Sequence, residues 1–153
     1  MPTLFGWLGN SDLRASADAS GADSGPIWMA LETGAYDCLV LLSDHGQDRT
    51  QNFVAWLRGK FAGAIDVRHA KLRSPTDFED IYVAANEAVS ATLYSSPGLQ
   101  ITFHVSPGTP AMAAVWVLLA KAKYGASLIE TSREHGVHPV VVANHSVEIE
   151  DDG

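Results

Sequence analysis

The chain has one cysteine, Cys38, and it sits in the apolar run from Cys38 to Leu42, so no internal disulfide can form and the thiol reads as a core group in a reducing compartment. Burial would raise its pKa, which argues against a catalytic role. No stretch approaches the ~20 apolar residues of a membrane span, and the N-terminus lacks the basic and apolar regions of a signal peptide; the reading is a cytoplasmic protein without membrane contact. Two phosphate-binding signatures are also missing. Gly6-x-x-Gly9 falls short of the dinucleotide fingerprint, and no Gly-Lys-Ser or Gly-Lys-Thr marks a P-loop, so neither a dinucleotide cofactor nor ATP hydrolysis in the standard manner is expected, and no cofactor is called for. A metal set is lacking too: His135 and His138 flank Gly136 and Val137 in a predicted turn and read as solvent-exposed imidazoles. Basic residues are few, 10 against 18 acidic ones, for a net charge of −8. That balance excludes a surface dedicated to long nucleic acid, and with it direct DNA binding by this domain.

What remains is a chain of 153 residues, enough for one domain that buries about two thirds of its unfolded surface. Residues 1–145 read as that domain, and 146–153, with Glu148, Glu150, Asp151 and Asp152, as an acidic tail or the start of a linker. Six of the ten basic residues (Arg49, Arg58, Lys60, Arg68, Lys71, Arg73) lie between positions 49 and 73, which leaves room for a small anionic ligand in a local basic pocket.

Apolar periodicity orders the elements. Thr3 to Leu8 is a first strand, followed by a polar segment from Gly9 to Pro26 that reads as a long functional loop. Ile27 to Thr33 forms a short helix ending at Gly34, and Tyr36 to Ser43 a strand apolar enough to be buried on both faces. Phe53, Trp56, Leu57 and Phe61 recur at helical spacing, with Gly63 able to close the helix. Ala64 to Ala70 is the third strand. The next helix starts either at Ser74 as cap with Pro75 following, or at a Thr76–Glu79 capping box, and carries the stripe Phe78, Ile81, Tyr82, Ala85, Val89, Leu93 before Ser95-Ser96-Pro97-Gly98 ends it. Leu99 to Val105 is a fourth strand, Pro110 to Tyr124 a helix, Ala126 to Glu130 a fifth strand, and Val137 to Ala143 a strand that pairs antiparallel at an edge. Such alternation predicts an α/β fold: a Rossmann-like, mostly parallel sheet with helices on both faces.

Ligands of such sheets bind outside the carboxyl ends of the strands. Three polar junctions are predicted there. Gly9, Asn10, Ser11 and Asp12 supply amide, hydroxyl and carboxylate groups, or simply a turn. Ser43 and Asp44, followed by His45, can face a sugar hydroxyl, or Asp44 or Asp48 can cap a helix. Ser106, Pro107, Gly108, Thr109 and Pro110 combine a close-approach glycine, two hydroxyls and a helix N-terminus, a place built to hold an anion. His104 lies in the strand before this turn, as a core histidine or facing a subunit partner. The helix after it is apolar from Ala111 to Ala120 and must be buried all round, in the core or against a second subunit; a homodimer is the expectation, with two copies of the turn near a two-fold axis.

Phe5-Gly-Trp-Leu-Gly-Asn-Ser-Asp-Leu13 and Ile101-Thr-Phe-His-Val-Ser-Pro-Gly-Thr109, together with Asp77-Phe-Glu-Asp-Ile-Tyr82 and Leu118-Leu-Ala-Lys-Ala-Lys-Tyr124, resemble the CARF domains of CRISPR-linked and related antiviral defence proteins, and among them the N-terminal domain of RtcR-type transcription activators. The resemblance implies a dimeric sensor whose paired loops bind a cyclic oligoadenylate, or an RNA end with cyclic phosphate; RtcR-type proteins continue into an ATPase and a DNA-binding module, and this chain departs from them by stopping at Gly153. It also implies an alternative. Some stand-alone members are metal-independent ring nucleases, in which a ribose 2′-hydroxyl attacks the adjacent phosphorus and leaves a 2′,3′-cyclic phosphate. In that case Ser11, Asn10 and Thr109 would be the catalytic group that orients the ring, and Arg49, Lys71, Arg73 or Arg133 would neutralise charge. Lys121 and Lys123 lie too far down their helix to reach the turn. A small-molecule-binding α/β domain unrelated to either is the third reading.

Overall fold

The computed structural model describes residues 1–141; the 146–153 tail, the domain limit at 145 and the last two residues of the final predicted strand lie outside them. Six strands, β1 (Pro2–Trp7), β2 (Cys38–Ser43), β3 (Ala64–His69), β4 (Gln100–His104), β5 (Ser127–Ser132) and β6 (Gly136–Pro139), form one sheet in the order β3-β2-β1-β4-β5-β6. All neighbours are parallel except β5 and β6, the antiparallel edge pair expected from the sequence. The helices are α1 (Asn10–Ala17), α2 (Gly25–Thr33), α3 (Gln47–Arg58), α4 (Phe78–Ser95) and α5 (Pro110–Leu119). Among the described residues no helix is long and apolar enough to cross a membrane.

Strands β1 and β2 are mostly apolar, Thr3 and Ser43 apart, because helices cover both sides, and the period of two sorts their side chains. Phe5, Trp7, Val40 and Leu42 meet α4 and α5 through Phe103 and Trp116. Leu4, Leu8, Leu39 and Leu41 meet the other helices through Ile27, Phe53 and Leu57. Phe103 is the hinge of the first layer, edge-on to Phe5 at 5.7 Å and tilted over Trp116 at 4.6 Å.

Several boundaries differ from the sequence reading. The segment from Gly9 to Pro26 is not one long loop: it holds α1 and the start of α2, leaving only residues 18–24 between helices. Helix α3 stops at Arg58 rather than running to Gly63; its end tightens, the Gly59 N–H bonding the Trp56 carbonyl and the Lys60 N–H the Leu57 carbonyl, each three residues back. Neither predicted cap starts α4; the Asp77 carboxylate does, accepting from the Asp80 N–H at 3.0 Å. Phe78, in the predicted apolar stripe, is 47% exposed. Residues Ala120–Tyr124 continue α5 as a π-helical turn, closed by Gly125 at φ +63°. Helix α5 buries Met112, Val115, Trp116 and Leu119 but leaves Ala114 and Leu118 at the surface, so among the described residues one face is covered, not the whole circumference. Cys38 is half-buried at the start of β2, and burial, then the Asp66 carboxylate, push its thiol pKa up.

Candidate functional site

The chain leaves β1 toward β2 and β3, then returns to the other side of β1 as β4, so the order reverses between β1 and β4. At that switch point the loops after the two strands part and leave a crevice. A cleft of about 230 Å³ opens there. Gly9, Asn10 and Ser11 form one wall, and Ser106, Pro107, Gly108 and Thr109 the opposite wall. Asp44 and His45 close the β2 side, and Pro75 reaches over from the loop before α4. A larger opening, about 350 Å³ at the end of β3, mixes Arg68 and Lys71 with Asp80 and Glu87 and lies away from this crevice.

The two main walls touch each other. A Cβ added to Gly9 would stand 2.8 Å from the Gly108 backbone nitrogen, so only a glycine lets the β1 loop and the β4 turn approach this closely. Helices α1 and α5 begin at these walls and bring the positive dipole ends of their first turns to them. The arrangement suits a phosphate.

Three of the predicted ligand residues are placed elsewhere. Asp12 points inward and is fully buried; its carboxylate accepts from the Gly9 N–H at 3.0 Å and the Ile27 N–H at 2.9 Å. Burial pushes its pKa up to about 7 against the pull of those two N–H groups, and the nearby Asp23 carboxylate adds to the rise. It ties the β1 loop to the start of α2 and takes no place on the cleft wall. Ser43 is also buried. Its hydroxyl accepts from the His45 N–H and donates to Thr50, whose own proton goes to the Gly46 carbonyl, so Ser43 has no proton left to give a phosphate. Pro110 occupies the first helical position of α5, where it has no N–H to offer.

Thr109 lies on the wall but its hydroxyl is engaged. It accepts from the Met112 N–H at 3.3 Å as the α5 cap and donates to the Pro75 carbonyl at 2.7 Å, strapping the 70–77 loop across the cleft. Ser106 accepts from the Thr131 N–H at 2.6 Å and keeps its proton available. Thr109→Val is therefore expected to cost about 1 kcal/mol through the lost cap, and to free the Pro75 loop. Faster amide exchange at residues 73–76 than in the wild type checks this; unchanged exchange there would show that the strap holds without Thr109.

His45, considered but not included among the predicted ligand residues, does line the cleft. Its Nε2 lies 3.1 Å from the Leu8 carbonyl, which can only accept, so Nε2 donates there. His104 is a core residue, with Nε2 3.0 Å from the Thr131 hydroxyl and Nδ1 unpartnered. Burial lowers its pKa to about 3 and keeps it neutral. Of the cations considered from sequence, Arg73 is clamped on Asp80 and Arg133 on Asp23. His138 pairs with Glu130, and among the described residues no cluster of three or more His, Cys, Asp or Glu side chains is placed to hold a metal.

No family model and no curated protein matches the chain. Solved structures do. Csm6 from Enterococcus italicus, bound to cyclic hexa-2′-fluoro-hexa-dAMP, superimposes with a TM-score of 0.79 at 16% identity, covering 99% of this chain and 44% of that one. Protein VC1899 from Vibrio cholerae gives 0.63 at 12% identity, covering 91% of this chain and 33% of the other. Can2 from Sulfobacillus thermosulfidooxidans, in complex with cyclic tetra-adenylate, gives 0.59 at 14% identity, covering 99% and 45%. This chain thus spans less than half the length of each, and it shares with them the mostly parallel, Rossmann-like α/β fold.

Proposed function

We propose that this chain is a CARF-like sensor domain that binds cyclic oligoadenylate as a homodimer, in antiviral or RNA-repair signalling of the RtcR type. The observation that carries the reading is the cleft at the β1–β4 switch point, where the first turns of α1 and α5 face one space across the Gly9–Gly108 contact. Two proteins of the same fold hold cyclic adenylate ligands, which supports this ligand class. The dimer rests on α5, whose N-terminus lies at the cleft and whose exposed Ala114 and Leu118 offer an apolar face to a second copy. In this reading the domain works in the cytoplasm, touches no membrane and makes no direct DNA contact.

Cyclic tetra- and hexa-adenylate, added in chelator while melting temperature and products are followed together, test it. A sensor gains several degrees and returns the ring intact. Turnover to products with 2′,3′-cyclic phosphate would instead establish the ring nuclease, with Ser11, Asn10 and Thr109 around the scissile group. No stabilisation and no cleavage, with these rings or with RNA ends bearing cyclic phosphate, would sink both.

A further inference from the structure

Among the described residues the cleft presents no lysine or arginine on its walls, in a chain of net charge −8. A phosphodiester held there must find its counter-charge close by, and most of the ten basic residues are engaged or distant. Arg68 pairs with Asp66, Arg73 with Asp77 and Asp80, and Arg133 with Asp23. Lys60 lies over the Trp56 ring and Lys123 bonds Asn86. Arg58 and Lys121 stand at the far ends of their helices. Lys71 lines an opening of about 340 Å³ beside the cleft, but the Asp44 carboxylate belongs to the walls of both spaces and opposes an anion on that path.

Arg14 and Arg49 differ. Arg14 Nη2 donates to the Ser11 hydroxyl at 3.1 Å, and Ser11 is on the cleft wall. Behind it, Arg14 and Arg49 both line a groove of about 270 Å³ between α1 and α3, completed by Leu13, Ser16, Ala17 and Asn52, with no carboxylate among the described residues. Among the described residues neither guanidinium has an ion-pair partner. Ser11 accepts from Arg14, so its own proton is available to a phosphate oxygen.

We propose that the α1–α3 groove is a second anion subsite, in which Arg14 and Arg49 take one phosphodiester of a ligand whose other phosphate rests against the Ser106–Thr109 turn. The identity of that ligand rests on the sensor reading; the anion site does not. Such a ligand carries at least two separated phosphates, so a mononucleotide fills only the cleft.

The experiment has two arms on the whole chain. Tripolyphosphate, titrated into ¹⁵N-labelled protein, is expected to shift the Arg14 and Arg49 Nε–H resonances, and no shift overturns the inference whatever cyclic adenylates do. Cyclic hexa-adenylate is expected to bind Arg14→Gln about tenfold more weakly, the loss of one charge-assisted hydrogen bond. The slope of log affinity against log salt should fall by about 0.7 for each phosphate no longer neutralised. Arg49→Gln moves both in the same direction, while Lys71→Gln leaves them at the wild-type values. Wild-type affinity and slope in the Arg14→Gln, Arg49→Gln double variant would overturn the inference and mark the tripolyphosphate shifts as an adventitious anion only. Resonance shifts without binding of any cyclic adenylate would remove the sensor reading and leave the anion site standing for another phosphodiester.

Discussion

Asp12→Ala is expected to lower stability by about 2–6 kcal/mol, because the Gly9 and Ile27 N–H groups are left buried without a partner at about 1–3 kcal/mol each. In a domain this size each kcal/mol moves the melting temperature by about 2–4 °C, so the loss is roughly 10 °C. Asp12→Asn removes the charge; its amide oxygen keeps one of the two hydrogen bonds and its NH2 group faces the other N–H. The folded pKa of Asp12, about 7, lies above its ordinary 3.8, so between those values the native state holds the extra proton and wild-type stability falls as pH rises. His104 works the other way: its folded pKa of about 3 lies below the ordinary 6.5, so the unfolded state takes the proton and stability falls as pH drops through that window. Each shift corresponds to on the order of 4 kcal/mol. The two slopes oppose each other between about pH 4 and 6.5, and these groups together leave the wild type nearly flat there. Asp12→Asn removes one of them, and its melting temperature should then fall steeply on acidification from pH 6.5 to 4. A profile parallel to the wild type would show that the Asp12 charge does not titrate in this range.

The sheet was legible in the sequence because its signal is local. Runs such as Leu39 to Leu42 can be buried on both faces only in a central parallel strand, and the helices between them carry their own 3.6-residue stripes. Helix α1 was not legible. Asn10–Ala17 is eight residues of mostly small and polar types, too short for propensity to hold it; the Asp12 bonds and the burial of Leu13 and Ala15 do. Missing the helix meant missing its phase. Asp12 in a loop can face a ligand, whereas Asp12 in the first turn shares the inward side with Leu13 and Ala15, and Arg14 is left outside against Ser11. The turn at Ser106–Thr109 was visible because strand, glycine and helix start adjoin in sequence. Its strap to Pro75 spans 34 positions and leaves no local pattern.

Gly108→Ala is expected to damage both fold and site. Gly108 adopts φ +89°, where a side chain costs about 1–2 kcal/mol. Its added Cβ would stand 2.5 Å from Met112 Sδ and 3.4 Å from Trp7 Cβ. Met112 is buried and its sulfur accepts the Thr109 N–H, so moving the thioether strains the packing beneath the turn and loosens the α5 start together, for about 1–3 kcal/mol more. A fall of roughly 10 °C in melting temperature, with loss of ligand-induced stabilisation, is the expected result. Gly9→Ala supplies the contrast. Gly9 sits at φ −106°, which any residue adopts, so its methyl acts only by pushing the Gly108 backbone away across the cleft. Its melting temperature should stay closer to the wild type while the stabilisation by cyclic hexa-adenylate disappears. If Gly9→Ala keeps the full ligand shift, the contact between the two walls is packing alone, and phosphate recognition belongs to the β4 turn without the β1 loop.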